Sequence, residues 1–203
     1  MRAMARKQAP VPDDHVDAGR ALAFVNTLWP RLAEPTETLV SYDALLAWAK
    51  DQKLLSPAVT ERLQAQARKH PHQAALVLGR ARDMREALHE VFTALEAKKA
   101  PPIAALDTLV HNLAGAYAHG ALIPQDGRLQ WTYGGDDDLD RVIWEIAHAC
   151  GRLVVSPRLV NIRACAAGDC GWWFLDETKN HSRRWCDMKI CGNREKLRRF
   201  RAK

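Results

Sequence analysis

The chain has 203 residues, with 30 Lys and Arg against 24 Asp and Glu for a net charge of +6, and 47% of it is hydrophobic. That length suits one ordinary domain plus a small appendage, with enough apolar residues to bury a core. No stretch approaches the ~18 consecutive apolar residues of a membrane span, and the basic start Met1–Lys7 lacks the apolar run of a secretory signal, so the expected compartment is the reducing cytoplasm.

Residues 1–12, with Pro10 and Pro12, read as a flexible lead-in. Helical periodicity then dominates residues 13–155. Asp13 and Asp14 are placed to cap a first helix whose stripe Ala21, Leu22, Val25, Leu28 and Trp29 puts Asn26 and Thr27 in mid-helix. Ser41 precedes a second helix, and Ser56-Pro57 opens a third that His70-Pro71 ends. The longest helix follows on the stripe Val77, Ala81, Met84, Leu88, Val91 and Leu95, closing near Lys98-Lys99. Pro101-Pro102 interrupts it, and Ile103 to His119 gives another amphipathic helix. Apolar residues alternate on both sides of Asp126-Gly127 between Leu122 and Tyr133, which predicts a small β-hairpin. A last helix of this part runs from Leu139 to about Leu153, led by acidic residues suited to its positive end. It carries Cys150, read as a buried core thiol.

Beyond the Ser156-Pro157 boundary the composition changes. From Arg158 onward there are twelve Lys and Arg against five Asp and Glu, leaving eighteen against nineteen for the rest, so the whole positive excess sits in residues 158–203. The same segment holds Cys165, Cys170, Cys186 and Cys191, spaced C-x4-C-x15-C-x4-C. Two close pairs joined by a segment long enough to fold back suit a tetrahedral ion, and four thiolates leave no open position for catalysis: one structural Zn2+ is expected. Leu159–Arg163 alternates like a strand leading into Cys165, and Ala166–Asp169 makes a tight knuckle turn before Cys170. Trp172, Trp173, Phe174 and Leu175 are placed to cover the metal and dock the module. His181 reads as an exposed loop histidine. Cys191 begins a terminal helix with Leu197 and Phe200 as a narrow inward seam. Its cations lie on two outward stripes, Arg194, Arg198 and Arg201 on one and Lys196, Arg199 and Lys203 on the other, and with Arg183 and Arg184 nearby they make phosphate contacts the expected use. Asn193 and Arg194 also have the chemistry to read base edges, although Asn193 could equally cap the helix or brace the knuckle.

The run Arg184-Trp185-Cys186-Asp187-Met188, then Cys191-Gly192-Asn193-Arg194 and Lys196-x-Arg198-Arg199-Phe200-Arg201, resembles the CGNR zinc finger, as does Cys165-x4-Cys170-Gly171-Trp172-x-Phe174-Leu175-Asp176. Ala23–Leu28 and Arg82-x-x-Arg85-Glu86-Ala87-Leu88 resemble the ABATE domain that precedes such fingers in stress-induced bacterial transcription regulators. The resemblance covers nearly the whole chain beyond residue 14 and implies zinc and DNA binding.

Asn26 and Thr27 cost helix propensity and desolvation where they stand. Either they bond to neighbouring backbone, or they line, with Arg82 and Arg85, a buried pocket for a small anionic effector. The two arginines could instead pair with Glu86 or Glu90. There is no metalloprotease helix, phosphate-binding glycine loop or serine elbow, so no enzyme is expected. The expected protein is mainly α: a helical sensing or dimerising domain over 13–155 with one hairpin, then a zinc-finger module of knuckle plus helix over 156–203. DNA is the expected partner. The alternative is a zinc-stabilised adaptor binding an acidic protein. A duplex-reading regulator often works as a homodimer, although no heptad or other obvious dimer face stands out.

Overall fold

The computed structural model describes residues 14–202, so the lead-in over 1–12 and the cap at Asp13 lie outside it. Helix α1 (Asp14–Val25) ends one turn earlier than its apolar spacing predicts. The Asn26 N–H bonds Leu22 O and the Thr27 N–H bonds Phe24 O, closing a tightened last turn, while Thr27 Oγ1 also donates to Phe24 O at 2.8 Å. Leu28–Trp29 then form strand β1, paired antiparallel with β2 (Thr36–Glu37). Two polar residues bonding back to the backbone release the chain from the helix, and Pro30 disfavours helical geometry at Trp29.

The helices that follow begin where the sequence predicts. Ser41 Oγ accepts the Ala44 N–H ahead of α2 (Tyr42–Asp51) and Ser56 Oγ accepts the Val59 N–H ahead of α3 (Pro57–Lys69). Next come α4 (Pro71–Glu96) and α5 (Ile103–His119). The hairpin of β3 (Gly120–Gln125) and β4 (Arg128–Tyr133) turns at Asp126-Gly127, both with positive φ, as a two-residue hairpin loop requires. Helix α6 (Arg141–Val154) packs against α1, α4 and α5 and buries Val142, Ile146 and Leu153 at the centre of the core. Cys150 is buried there, and burial pushes its thiol up to about 12.

Past Ser156 a 3-10 turn (Pro157–Asn161) replaces most of the predicted strand, because Ser156 Oγ accepts the Arg158 N–H and Pro157 fixes a helical φ. Strand β5 is confined to Ile162–Ala164 and pairs with β6 (Trp173–Leu175). Cys191 lies in a single π-turn (Met188–Gly192) that runs into α7 (Asn193–Arg201). The inward seam expected on α7 faces outward: Leu197 is 57% and Phe200 80% exposed. This helix is tied down by polar pairs, described below, so no apolar face is needed beneath it. The architecture is mainly α with three two-stranded sheets. A main core extends from the helices into Ile162 and Trp173, and a small second core gathers Cys165, Ala167, Cys170, Phe174 and Cys191.

Candidate metal centre

The β5–β6 pairing sets Ala164 opposite Trp173, and the Cys165 N–H bonds Trp172 O at 2.8 Å, so Cys165 and Cys170 stand at the two ends of one closed loop. Gly171 has φ +69°, and an added Cβ would press to 3.1 Å from the Arg31 side chain, which makes glycine the fitting residue at this bend. The return is organised by Asp176, which is fully buried. Its carboxylate accepts from Thr178 N–H and Oγ1 and from Arg183 N–H, and these bonds outweigh burial to hold it below the usual carboxylate range. The Ala166 N–H then bonds Arg184 O, bringing Cys186 back to the knuckle. Asp187 caps the π-turn by accepting the Lys189 and Ile190 N–H groups, which delivers Cys191. His181 is exposed and turns its Nδ1 to Asp176 O, away from this cluster.

The four sulfurs all lie within 4.8 Å of one another. Cys170 and Cys186 Sγ are 3.8 Å apart, and Cys186 and Cys191 Sγ 3.7 Å. A zinc ion at about 2.3 Å from each sulfur gives tetrahedron edges of about 3.8 Å, so the spacing fits one Zn2+ and is far too long for disulfides. Such a site carries a formal charge of two minus, and N–H donors surround it. Trp29 Nε1 donates to Cys170 Sγ, the Cys186 N–H to Cys165 Sγ and Arg194 Nη2 to Cys191 Sγ, each at 3.4 Å. Without the ion, burial and then the neighbouring thiols push Cys186 upward, and burial raises Cys191 to about 12. Zinc must displace those protons to bind. Trp172 covers the centre with its edge against Trp29.

Trp173 points the other way and docks the module on the helices. Its indole Nε1 donates to His89 Nδ1 at 2.8 Å, which places the His89 proton on Nε2, and its ring edge packs on Phe92. Asn26 holds the Trp173 backbone at both ends, accepting its N–H at 2.9 Å and donating to its C=O at 2.8 Å. The Arg31 N–H bonds Cys170 O, and the Ala164 N–H bonds Glu96 Oε1.

The expected phosphate-contacting residues fall into three groups. Arg194 and Arg198 both bond the Asp169 carboxylate, at 2.7 and 2.6 Å, and Arg198 also bonds Glu195. Arg183 stacks over Phe174 while bonding Trp185 O and Cys186 O, and Arg184 lies over Trp185. Asn193, Lys196, Arg199 and Arg201 are exposed, and the three cations make no ion pair among the described residues.

The residues expected around an effector are engaged by the chain's own atoms. Arg85, 3% exposed, forms a two-pronged pair with Glu37 at 2.7 Å and bonds Glu86 and Thr27 Oγ1. Arg31 bonds Glu86 at 2.7 Å, and Arg82 donates to Leu39 O. With Arg82 Nε also 3.8 Å from Glu37, the result is a network of three cations and two anions that fastens β2 and the Trp29–Arg31 segment to α4. Against the cost of burial, the Arg85 contacts hold Glu37 low, and those of Arg31 and Arg85 hold Glu86 low. Sequence reasoning missed Trp29, Asp169, Asp176, Glu37 and His89. Asp169, inside the knuckle and thus close to the metal, carried a local hint, and Asp176 stood in the motif that resembles the CGNR zinc finger.

The model of the CGNR zinc finger matches residues 161–203. The ABATE model, described as "Putative stress-induced transcription regulator", matches residues 19–157. No curated protein is similar enough to the chain to match it.

Proposed function

Because the chain belongs to the ABATE family and ends in a CGNR zinc finger with four cysteines able to hold one zinc ion, we propose that it is a zinc-dependent regulator that grips DNA through α7. Neither family description is of an enzyme, and no helix among the described residues is long and apolar enough to cross a membrane. The observation that carries the reading is the set of cations Lys196, Arg199 and Arg201, exposed and without an ion pair among the described residues, on a helix anchored through Cys191. Fixed cations on a rigid support lose little entropy on meeting phosphates, and each contact releases counterions. Arg201 shares its side of α7 with Arg194 and Arg198, Lys196 and Arg199 occupy another, Arg183, Arg184 and Asn193 lie nearby in sequence, and the Asp169 pairs orient the first turn of the helix. Residues 156–203 form the nucleic-acid end of this division of labour, and 13–155 the regulatory end. Asn26, Thr27 and Arg85 are engaged by the chain's own atoms, and Arg82 is held on Leu39 O and beside Glu37, so a bracing role suits this group better than an anionic effector site.

Fluorescence anisotropy with random-sequence duplex tests the DNA reading. The zinc-loaded protein should bind at low salt with affinity falling steeply as salt rises. Replacing Lys196, Arg199 and Arg201 by alanine should flatten the log–log slope by about 3, near 0.9 per lost contact. A slope unchanged by the triple substitution, or no binding at all, refutes it. Exposed Leu197 and Phe200 favour a second reading, an adaptor helix for a partner with an apolar groove and acidic rim. In that case, Leu197→Ala with Phe200→Ala would abolish partner capture and leave the salt slope alone.

A further inference from the structure

Helix α5 is apolar on two sides but covered on one. Its inner face, Ala105, Asn112 and Ala116 with Leu109, lies on α4 and α6. On the outer face Ile103 (76%), Leu106 (40%), Val110 (64%) and Tyr117 (52%) are exposed, together with Ala114. Asp107 is the only residue of α5 with a permanent charge. A surface helix normally presents charged residues to water, and an apolar stripe along its whole length marks a missing partner. The stripe continues beyond the helix. The Tyr117 ring meets Trp131 of β4 edge-on, and Trp131 lies opposite Leu122 in the hairpin. Leu122 and Leu129 share that face and remain exposed, so the apolar side of the hairpin tip is uncovered.

We infer that this face is the interface with a second copy of the chain, α5 lying antiparallel on its counterpart about a two-fold axis at Val110. The argument for self-pairing is the spacing. Residues 103, 106, 110, 114 and 117 are separated by three, four, four and three, a pattern that reads the same in both directions. A two-fold contact demands a patch complementary to itself. Turned about Val110, this one sets Ile103 on Tyr117, the large Leu106 on the small Ala114 and Val110 on Val110. The near absence of charge removes like-charge repulsion between copies. A helix of 17 residues is about 25 Å long, and the exposed Leu122 and Leu129 extend the apolar face beyond its end. The inference is independent of what α7 binds.

Sedimentation and cross-linking of the zinc-loaded protein without DNA provide the test. The wild type should be a dimer at micromolar concentration, and Val110→Glu should weaken association at least about 100-fold with an unchanged circular dichroism spectrum and zinc content. Leu76→Glu, on an exposed site of α4, should leave it dimeric. A short bismaleimide should link Val110→Cys to itself nearly completely. Leu106→Cys should link efficiently only when mixed with Ala114→Cys, and Leu76→Cys should not link beyond the wild-type background. A monomeric wild type, a dimer indifferent to Val110→Glu, or equal linking at positions 110 and 76 would overturn the inference.

Discussion

The indole of Trp29 does at the scale of one residue what no spacing rule announces. In sequence it completes an apolar helical stripe; in space it has left the helix and points its N–H at Cys170 Sγ, 141 residues away. A donor to a ligand sulfur offsets thiolate charge and fixes the sulfur's direction, and loss of such an outer contact typically weakens metal binding 10–100-fold. Trp29→Phe keeps an aromatic ring on the Trp172 side and removes the N–H together with part of the indole's area. Its zinc affinity, measured by competition with a chromophoric chelator, should fall by that factor with the fold intact, and an unchanged affinity would deny the N–H a role. The four cysteines themselves were readable because metal ligation needs fixed residue types at short separations. Trp29 and Asp169 were not, since their partners lie 25 to 141 residues away and any donor or carboxylate would have looked the same in sequence. The same holds for the Glu37 partner of Arg85, which stands on a strand that periodicity had not revealed, whereas the pair of Arg85 with Glu86 was among the sequence's own alternatives.

At the scale of elements, the capped helices and the hairpin were legible because their signals are local: Ser41, Ser56-Pro57, Pro101-Pro102 and Asp126-Gly127 act within a few residues. The short pieces were not. β1, β5 and the π-turn owe their form to the partners they meet, with too few residues to show a period. One long element does carry a titratable contact into the second module. Burial, then the Arg31 charge, lowers His89 on α4 to about 4, against a smaller opposing effect of Glu86. At His89 the folded state therefore binds fewer protons than the unfolded one between about pH 4 and 6.5. This contribution is complete above pH 6.5 and is lost as pH falls toward 4, a loss of at most about 3 kcal/mol for a partly buried group. His89→Gln keeps an acceptor for Trp173 Nε1 but does not titrate. Urea unfolding should show its stability declining less than the wild type's between pH 6.5 and 4.5. Parallel declines would exclude His89 as the source.

For the molecule as a whole, the uneven charge and the two cores describe one division of tasks. The small core is built on the cysteines, whereas the main core is built on helices and takes in Ile162 and Trp173 across the boundary, with Leu159, Ala164 and Leu175 packed against it. Removing zinc should accordingly leave most of the helical circular dichroism, since α7 has only nine residues. Amide protection should be lost across 165–201 and retained in α4 and α6, as hydrogen exchange before and after chelation would record. Simultaneous collapse of both regions would contradict that separation. The Asn26 amide gives a practical warning to anyone dissecting the gene. It grips the Trp173 main chain at both poles, as an adjoining strand would, and the indole fills space among the helices. A fragment stopped at Ser156 leaves that amide stranded and a ring-sized hole open to water. Such a truncation is a wounded protein, and whatever it fails to do says little about the intact one.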